Sequence, residues 1–150
     1  MNKSTSASTA AVLNDLIETC KDGQQGFQHA ADNVSHAGMK DLFQRLSTQR
    51  GQFSVQLQTF VRSLGEDAEN SSSLAGVLHR GWIDLKGAIT RKDDKAILAE
   101  CERGEDSAVA QYRTALDEEL PGDIRAIVLT QCAAVKAAHD EVKALRDSAS

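Results

Sequence analysis

Helix-borne metal chemistry is read from a glutamate three residues before a histidine, a spacing that puts both side chains on one face where they can hold the same cation. The sequence holds four histidines to test. Gly26 stands three before His29, Asn33 before His36, Gly76 before His79 and Lys136 before His139. None is a carboxylate, so the motif is absent at every histidine. One acid nevertheless lies in the wrong place for solvent. Leu98, Cys101, Glu105, Ala108, Tyr112 and Ala115 recur in steps of three and four, which sets Glu105 on the apolar side of its helix. A desolvated carboxylate needs a positive partner, and a metal ion or a guanidinium would serve.

Other reactive residue types give less. Cys20, Cys101 and Cys132 are far apart, without a C-x-x-C pair, and read as buried thiols rather than a disulfide framework or a zinc knuckle. Asp22, Gln25 and His29 share a helix side and read as solvated, as do His139, Asp140 and Glu141. No nucleophile stands beside a base at a recognisable spacing, and no glycine-rich phosphate loop is present. Acids outnumber bases 22 to 17, for a net charge of -5, and His79-Arg80 and Arg91-Lys92 are too short to form a nucleic-acid footprint. The opening residues lack the apolar core of a secretory signal, and no apolar run is long enough to span a bilayer. A cytoplasmic protein is expected.

The elements that must carry Glu105 are helices. Apolar residues fall at helical spacing from Thr9 to Val34, with Ser8 or Thr9 as N-cap. A break at Ser35-His36-Ala37-Gly38 separates this stripe from a second one running from Met39 to Leu64. Gly65 to Ser73 reads as a loop, and a shorter helix follows from about Leu74 to Ile89, with Trp82 as the plug that fastens it to the bundle. Asp93 is the expected N-cap of a third long helix that ends before Pro121-Gly122, and a fourth fills the rest. Two tight hairpins joined by one long connection is the ferritin-like topology, since an up-down-up-down bundle needs only short loops. The expected organisation is a flexible N-terminus over 1–8, one four-helix-bundle domain over 9–147 and a tail over 148–150.

Counting from the two hairpin turns brings Gln24, Gln49, Arg50 and Glu105 to one level, opposite Lys136 and His139. A polar layer at mid-bundle is how carboxylate-bridged metal centres are built, and also how a hydrogen-bonded structural layer is built. The expected arrangement is Arg50 paired with Glu105, with Gln24 and Gln49 completing the hydrogen bonds. The alternative is a single metal ion on Glu105 and His139.

The segments LNDLIETCKDGQQGFQHAA, FQRLSTQRGQF, GWIDLKGAITRKDDKAILAECERGEDSAVAQY and VKAAHDEVKALRD together resemble a bacterial ferritin-like family of unknown function, distantly related to the rubrerythrins. The resemblance implies a ferritin-like four-helix bundle and an association with stress. Where the rubrerythrin pattern has a carboxylate and a histidine on the second helix, this chain has Arg50 and Phe53. On the fourth helix it has Lys136 and His139, and on the first Cys20 or Gln24 takes the acidic place. Only Glu105 and His139 match a ligand type.

The expected function is therefore that of a non-catalytic bundle with a degenerate metal site, acting through self-association as a homodimer or through a protein partner, with the crossover helix as one interface. No cofactor is expected. The alternative is an iron or zinc protein, mononuclear or di-iron, with oxidase or peroxide-handling activity.

Overall fold

The computed structural model describes residues 3–68, 82 and 84–148, the side chains of the first two excepted. Among the described residues five helices follow in order: α1 (Lys3–Asn33), α2 (Ala37–Ser63), α3 (Leu85–Thr90), α4 (Asp94–Leu116) and α5 (Gly122–Ser148). The four long ones form the bundle and α3 lies in the crossover. The second half of the expected loop, 69–73, and the first part of the expected crossover helix, 74–81, lie outside the described residues.

Local chemistry sets the helix ends. His36 caps α2, its ring nitrogen accepting from the Met39 amide at 3.3 Å. Asp93 caps α4 by accepting from the Lys95 amide at 3.0 Å. The Asp94 carboxylate also accepts from the Ser35 and His36 amides at 2.9 and 3.2 Å, which ties the first hairpin turn to the start of α4. Pro121 precedes α5, its carbonyl accepting from Arg125 at 2.8 Å. One boundary differs from expectation. Lys3 to Ser8, read from sequence as a flexible segment capped by Ser8 or Thr9, is already helical. Serine and threonine favour caps but do not forbid a helix interior, and buried Thr9 and Ala10 hold this turn against the bundle.

Short connections make α1–α2 and α4–α5 antiparallel hairpins. Ser35 meets Asp94 at one end of the bundle, and Cys20 meets Tyr112 further along, so α4 runs antiparallel to α1. It is consequently parallel to α2, and only a connection that returns along the bundle can join them. Around the ring the order is α1, α2, α5, α4, which leaves α2 and α4 diagonally opposite.

The crossover turns its apolar side inward. Trp82, Leu85 and Ala88 are buried, and the Asp84 amide donates to Glu100 of α4 at 3.0 Å. The apolar surface that the sequence reading offered as an interface is used, at these residues, to seat the crossover on α1 and α4. The indole of Trp82 meets Phe27 edge-on at 5.1 Å. It fits because Gly26 and Gly104 lack side chains: a Cβ on Gly26 would lie 2.6 Å from the indole, and one on Gly104 would collide with it.

Candidate functional site

Among the described residues the apolar interior comes in two clusters. One gathers around Phe27, Phe43, Trp82 and Leu98, the other around Leu13, Ile17, Leu57 and Val128. Between them α2 passes from Leu46 to Leu57 through Arg50, and α4 passes from Cys101 to Ala108 through Glu105. Their guanidinium and carboxylate are 1% and 0% exposed.

The pair is bidentate. Arg50 Nη1 donates to Glu105 Oε1 and Nη2 to Oε2, each at 2.5 Å. Two parallel charge-assisted bonds match the planar fork of the guanidinium, a fit that a lysine would not reproduce. Arg50 Nε donates to Gln49 Oε1 at 3.2 Å, and the guanidinium carbon lies 5.4 Å from the centroid of the Phe27 ring. Gly23 leaves room on the α1 side, where a Cβ would come within 3.3 Å of Arg50 Cγ and Nη1. Burial pulls the pKa of Arg50 down, but the charge of Glu105 and its hydrogen bonds outweigh that pull and hold the pKa above its ordinary value.

A second polar thread runs around the bundle through all four long helices. Cys20 Sγ of α1 lies 3.1 Å from Tyr112 Oη of α4, and Tyr112 donates to Gln131 Oε1 of α5 at 2.7 Å. Because the phenol proton goes to Gln131, the thiol is the donor towards Tyr112. Gln131 Nε2 then donates to Gln56 Oε1 of α2 at 2.9 Å. Burial pushes the Cys20 thiol up to about 11, though its bond to Tyr112 works the other way, and burial raises Tyr112 well above its ordinary value. Cys101 is likewise raised, first by burial and then by the charges of Glu105 and Glu100. All three groups are neutral at physiological pH; Cys20 and Tyr112 act as hydrogen-bonding core residues, and buried Cys101 packs in the apolar cluster.

The structure brings Arg50, Gln49 and Glu105 together, and it leaves out Gln24 of the expected layer and His139 of the metal alternative. Gln24 is exposed, not buried; its amide lies over Gly51, where a Cβ would meet Gln24 Nε2 at 2.8 Å. Its level along α1 is right but its rotation is not, and Gly23 is the residue facing Arg50. His139 does not join Glu105. Its Nε2 pairs with Asp106 at 2.5 Å and its Nδ1 with Asp140 at 3.1 Å, on the outer side of the α4–α5 seam. Asp22 is buried rather than solvated, while His29 is exposed.

Gln131 is the residue that sequence reasoning missed. It occupies the seam position between Val128 and Val135, and the pattern Ile124, Val128, Gln131, Val135, Ala138, Val142 continues through it without a break. The glycines carried a signal too: Gly23, Gly26 and Gly104 are mid-helix, where glycine is unfavourable unless something approaches closely.

A metal centre would need inward-facing oxygen and nitrogen donors free to bind. Both oxygens of Glu105 are taken by Arg50, Lys136 points to solvent and pairs with Asp140, and Phe53 offers no ligand atom. Among the described residues no three of His, Cys, Asp and Glu are grouped to hold an ion. The donor set does not fit a di-metal centre.

Residues 8–118 match the model of a family described as a domain of unknown function, DUF2383. No curated protein matches the chain. Among solved structures it is similar to a mutant of Dps1 from Mycobacterium smegmatis, at 14% identity and a TM-score of 0.83 over 97% of this chain and 99% of that one. It is also similar to an N-terminal deletion mutant of Dps from the same organism, at 16% identity and a TM-score of 0.76 over 97% and 98% of the two chains. A tetragonal form of that Dps gives 14% identity and a TM-score of 0.76 over 96% and 88%. At these identities the likeness speaks for the ferritin-like fold.

Proposed function

The chain belongs to the DUF2383 family, and from that premise we propose that it is a non-catalytic ferritin-like bundle in which an ion pair stands in place of a metal centre. Its work is done by its surface, through self-association or contact with another protein. The observation that carries this reading is the bidentate Arg50–Glu105 pair at mid-bundle. The positive charge that a cation would bring to Glu105 is already supplied covalently by α2, and a cation entering there would meet a buried guanidinium of like sign. The other polar groups at this depth, Tyr112, Gln131 and Cys20, are committed to one another. No helix among the described residues is long and apolar enough to cross a membrane.

Metal content tests the reading. Protein purified without chelator, offered ferrous iron and then zinc, and desalted, is expected to retain neither stoichiometrically. Arg50→Met and Arg50→Glu report what the guanidinium does: if it is the stand-in, the second variant gains divalent-ion affinity while the wild type shows none. Tight iron binding by the wild type would overturn the proposal in favour of the oxidase or peroxide-handling alternative.

A further inference from the structure

From Ala126 to Val135 no residue of α5 is charged. The inward side of this run is used, with Val128, Gln131 and Val135 in the seam. Among the described residues nothing covers its outward side. Ala126, Leu129, Thr130 and Ala133 are exposed there, Ala137 and Ala144 continue the same line, and Leu129 keeps 48% of its surface in water. Beside the line the charges are sorted by sign. At about 100° per residue, Arg125, Lys136 and Lys143 fall on one flank and Asp123 and Glu141 on the other. Two further acids nearer the line, Asp140 and Asp147, are held by Lys136 and Lys143 at 2.6 and 3.2 Å.

We propose that this outward face of α5 docks a second copy of the chain, α5 beside α5 in parallel, about a two-fold axis that runs along the helices. A two-fold interface meets its own image. With the axis along the helices, the basic flank of each copy faces the acidic flank of the other at the same height, so Lys143 meets the second copy's Glu141 and Arg125 its Asp123, twice over. An antiparallel pair would instead set like against like, Asp123 against Glu141 and Arg125 against Lys143. The alanines matter for reach. With such small side chains at the contact, helix axes approach to about 8 Å, the low end of the packing range, and long side chains on the flanks can then pair across the seam. Leu129 adds the largest apolar surface to be buried. The pairs that these charges make within the chain, Lys143 with Asp147 and Glu141 with Arg45, lie in water and exchange partners at little cost. A partner of a single charge sign would be drawn to one flank and repelled by the other, so the face selects its own image.

The inference rests on the self-association reading of the proposed function and deepens it, and sedimentation of the full chain tests it. The wild type is expected to dimerise. Leu129→Glu would put an acid into the apolar line of each copy and weaken dimerisation at least about tenfold, with helicity unchanged. Ala133→Gln, which holds the axes apart without adding charge, serves should Leu129→Glu perturb folding. Lys143→Glu and Glu141→Lys are each expected to weaken the dimer about threefold or more, and the two together to restore it to within about twofold, because the pair re-forms across the axis with its signs exchanged. Val55→Glu, at the other exposed large apolar residue, on α2, is expected to leave it intact. A monomer at concentrations up to about 1 mM, a dimer indifferent to both Leu129→Glu and Ala133→Gln, or one broken by Val55→Glu would each overturn the proposal. So would single reversals that tighten the dimer, as an antiparallel pair requires, or a double reversal that fails to restore it. Metal measured on the same samples separates the two readings. A metal-loaded dimer sensitive to Leu129→Glu sinks only the proposed function, and a metal-free monomer sinks only this inference.

Discussion

Arg50 and Glu105 meet across the diagonal of the bundle and join α2 to α4, two helices that do not pack directly on each other among the described residues. The pair thus spans the interior instead of bridging neighbours, and both ions are out of water. Removing one strands the other. Arg50→Leu is expected to cost about 3–5 kcal/mol, and Glu105→Leu a similar amount, in urea unfolding at unchanged m-value. The double variant Arg50→Leu/Glu105→Leu should be more stable than either single one, because an apolar pair leaves no uncompensated charge. Single losses below about 1 kcal/mol, the range of exposed pairs, would show that the layer contributes little.

The Trp82 indole is a wedge whose slot is cut by two glycines on different helices. It is the only tryptophan in the chain, so its fluorescence reports the crossover alone. Gly104→Ala would put a methyl group into the indole, forcing Trp82 outward or the helices apart. The expected result is a red-shifted emission and a loss of about 1–3 kcal/mol. Gly122→Ala, where an added Cβ meets nothing within 4 Å, should leave emission unchanged and stability within about 0.5 kcal/mol. Equal behaviour of the two variants would mean that the wedge is not held by its slot.

Much of this was legible in the spacing of apolar residues. One long connection between two short-looped hairpins selects the ferritin-like topology, Glu105 and Tyr112 fall on one seam by counting steps of three and four, and counting outward from the hairpin turn brings Arg50 to the same level as Glu105. Rotation about a helix was harder to read than level along it. Gln24 and Gly23 differ by one residue, or about 100° of rotation, and only the side that faces Arg50 decides which of them borders the layer. His139 shows the same difficulty on α5, sitting one residue beyond buried Ala138 and turning to Asp106 and not to Glu105. Gln131 was legible and overlooked, because a glutamine in an apolar seam reads as an interruption until its partners on two other helices are known.

Those partners predict how the fold behaves in alkali. Cys20 ordinarily titrates near 9.0, and burial raises it to about 11 in the folded chain, while Tyr112 and Cys101 are raised well above their ordinary values of 10.0 and 9.0. Above pH ~9 the unfolded chain therefore gives up protons that the folded chain keeps, and stability falls as pH rises. Below that point the contribution is complete. Cys20 alone accounts for about 2–3 kcal/mol lost by pH ~11, and Cys101 and Tyr112 act in the same direction. Urea midpoints should be flat from neutrality to pH ~9 and then decline steeply, less so in Cys20→Ala. Tyr112 is the only tyrosine, so phenolate absorbance follows it directly. The phenolate is expected to stay absent past its ordinary pKa and to appear together with the loss of helical circular dichroism. A smooth titration centred near 10 with the helices intact would show that the Cys20–Tyr112–Gln131 thread is open to water.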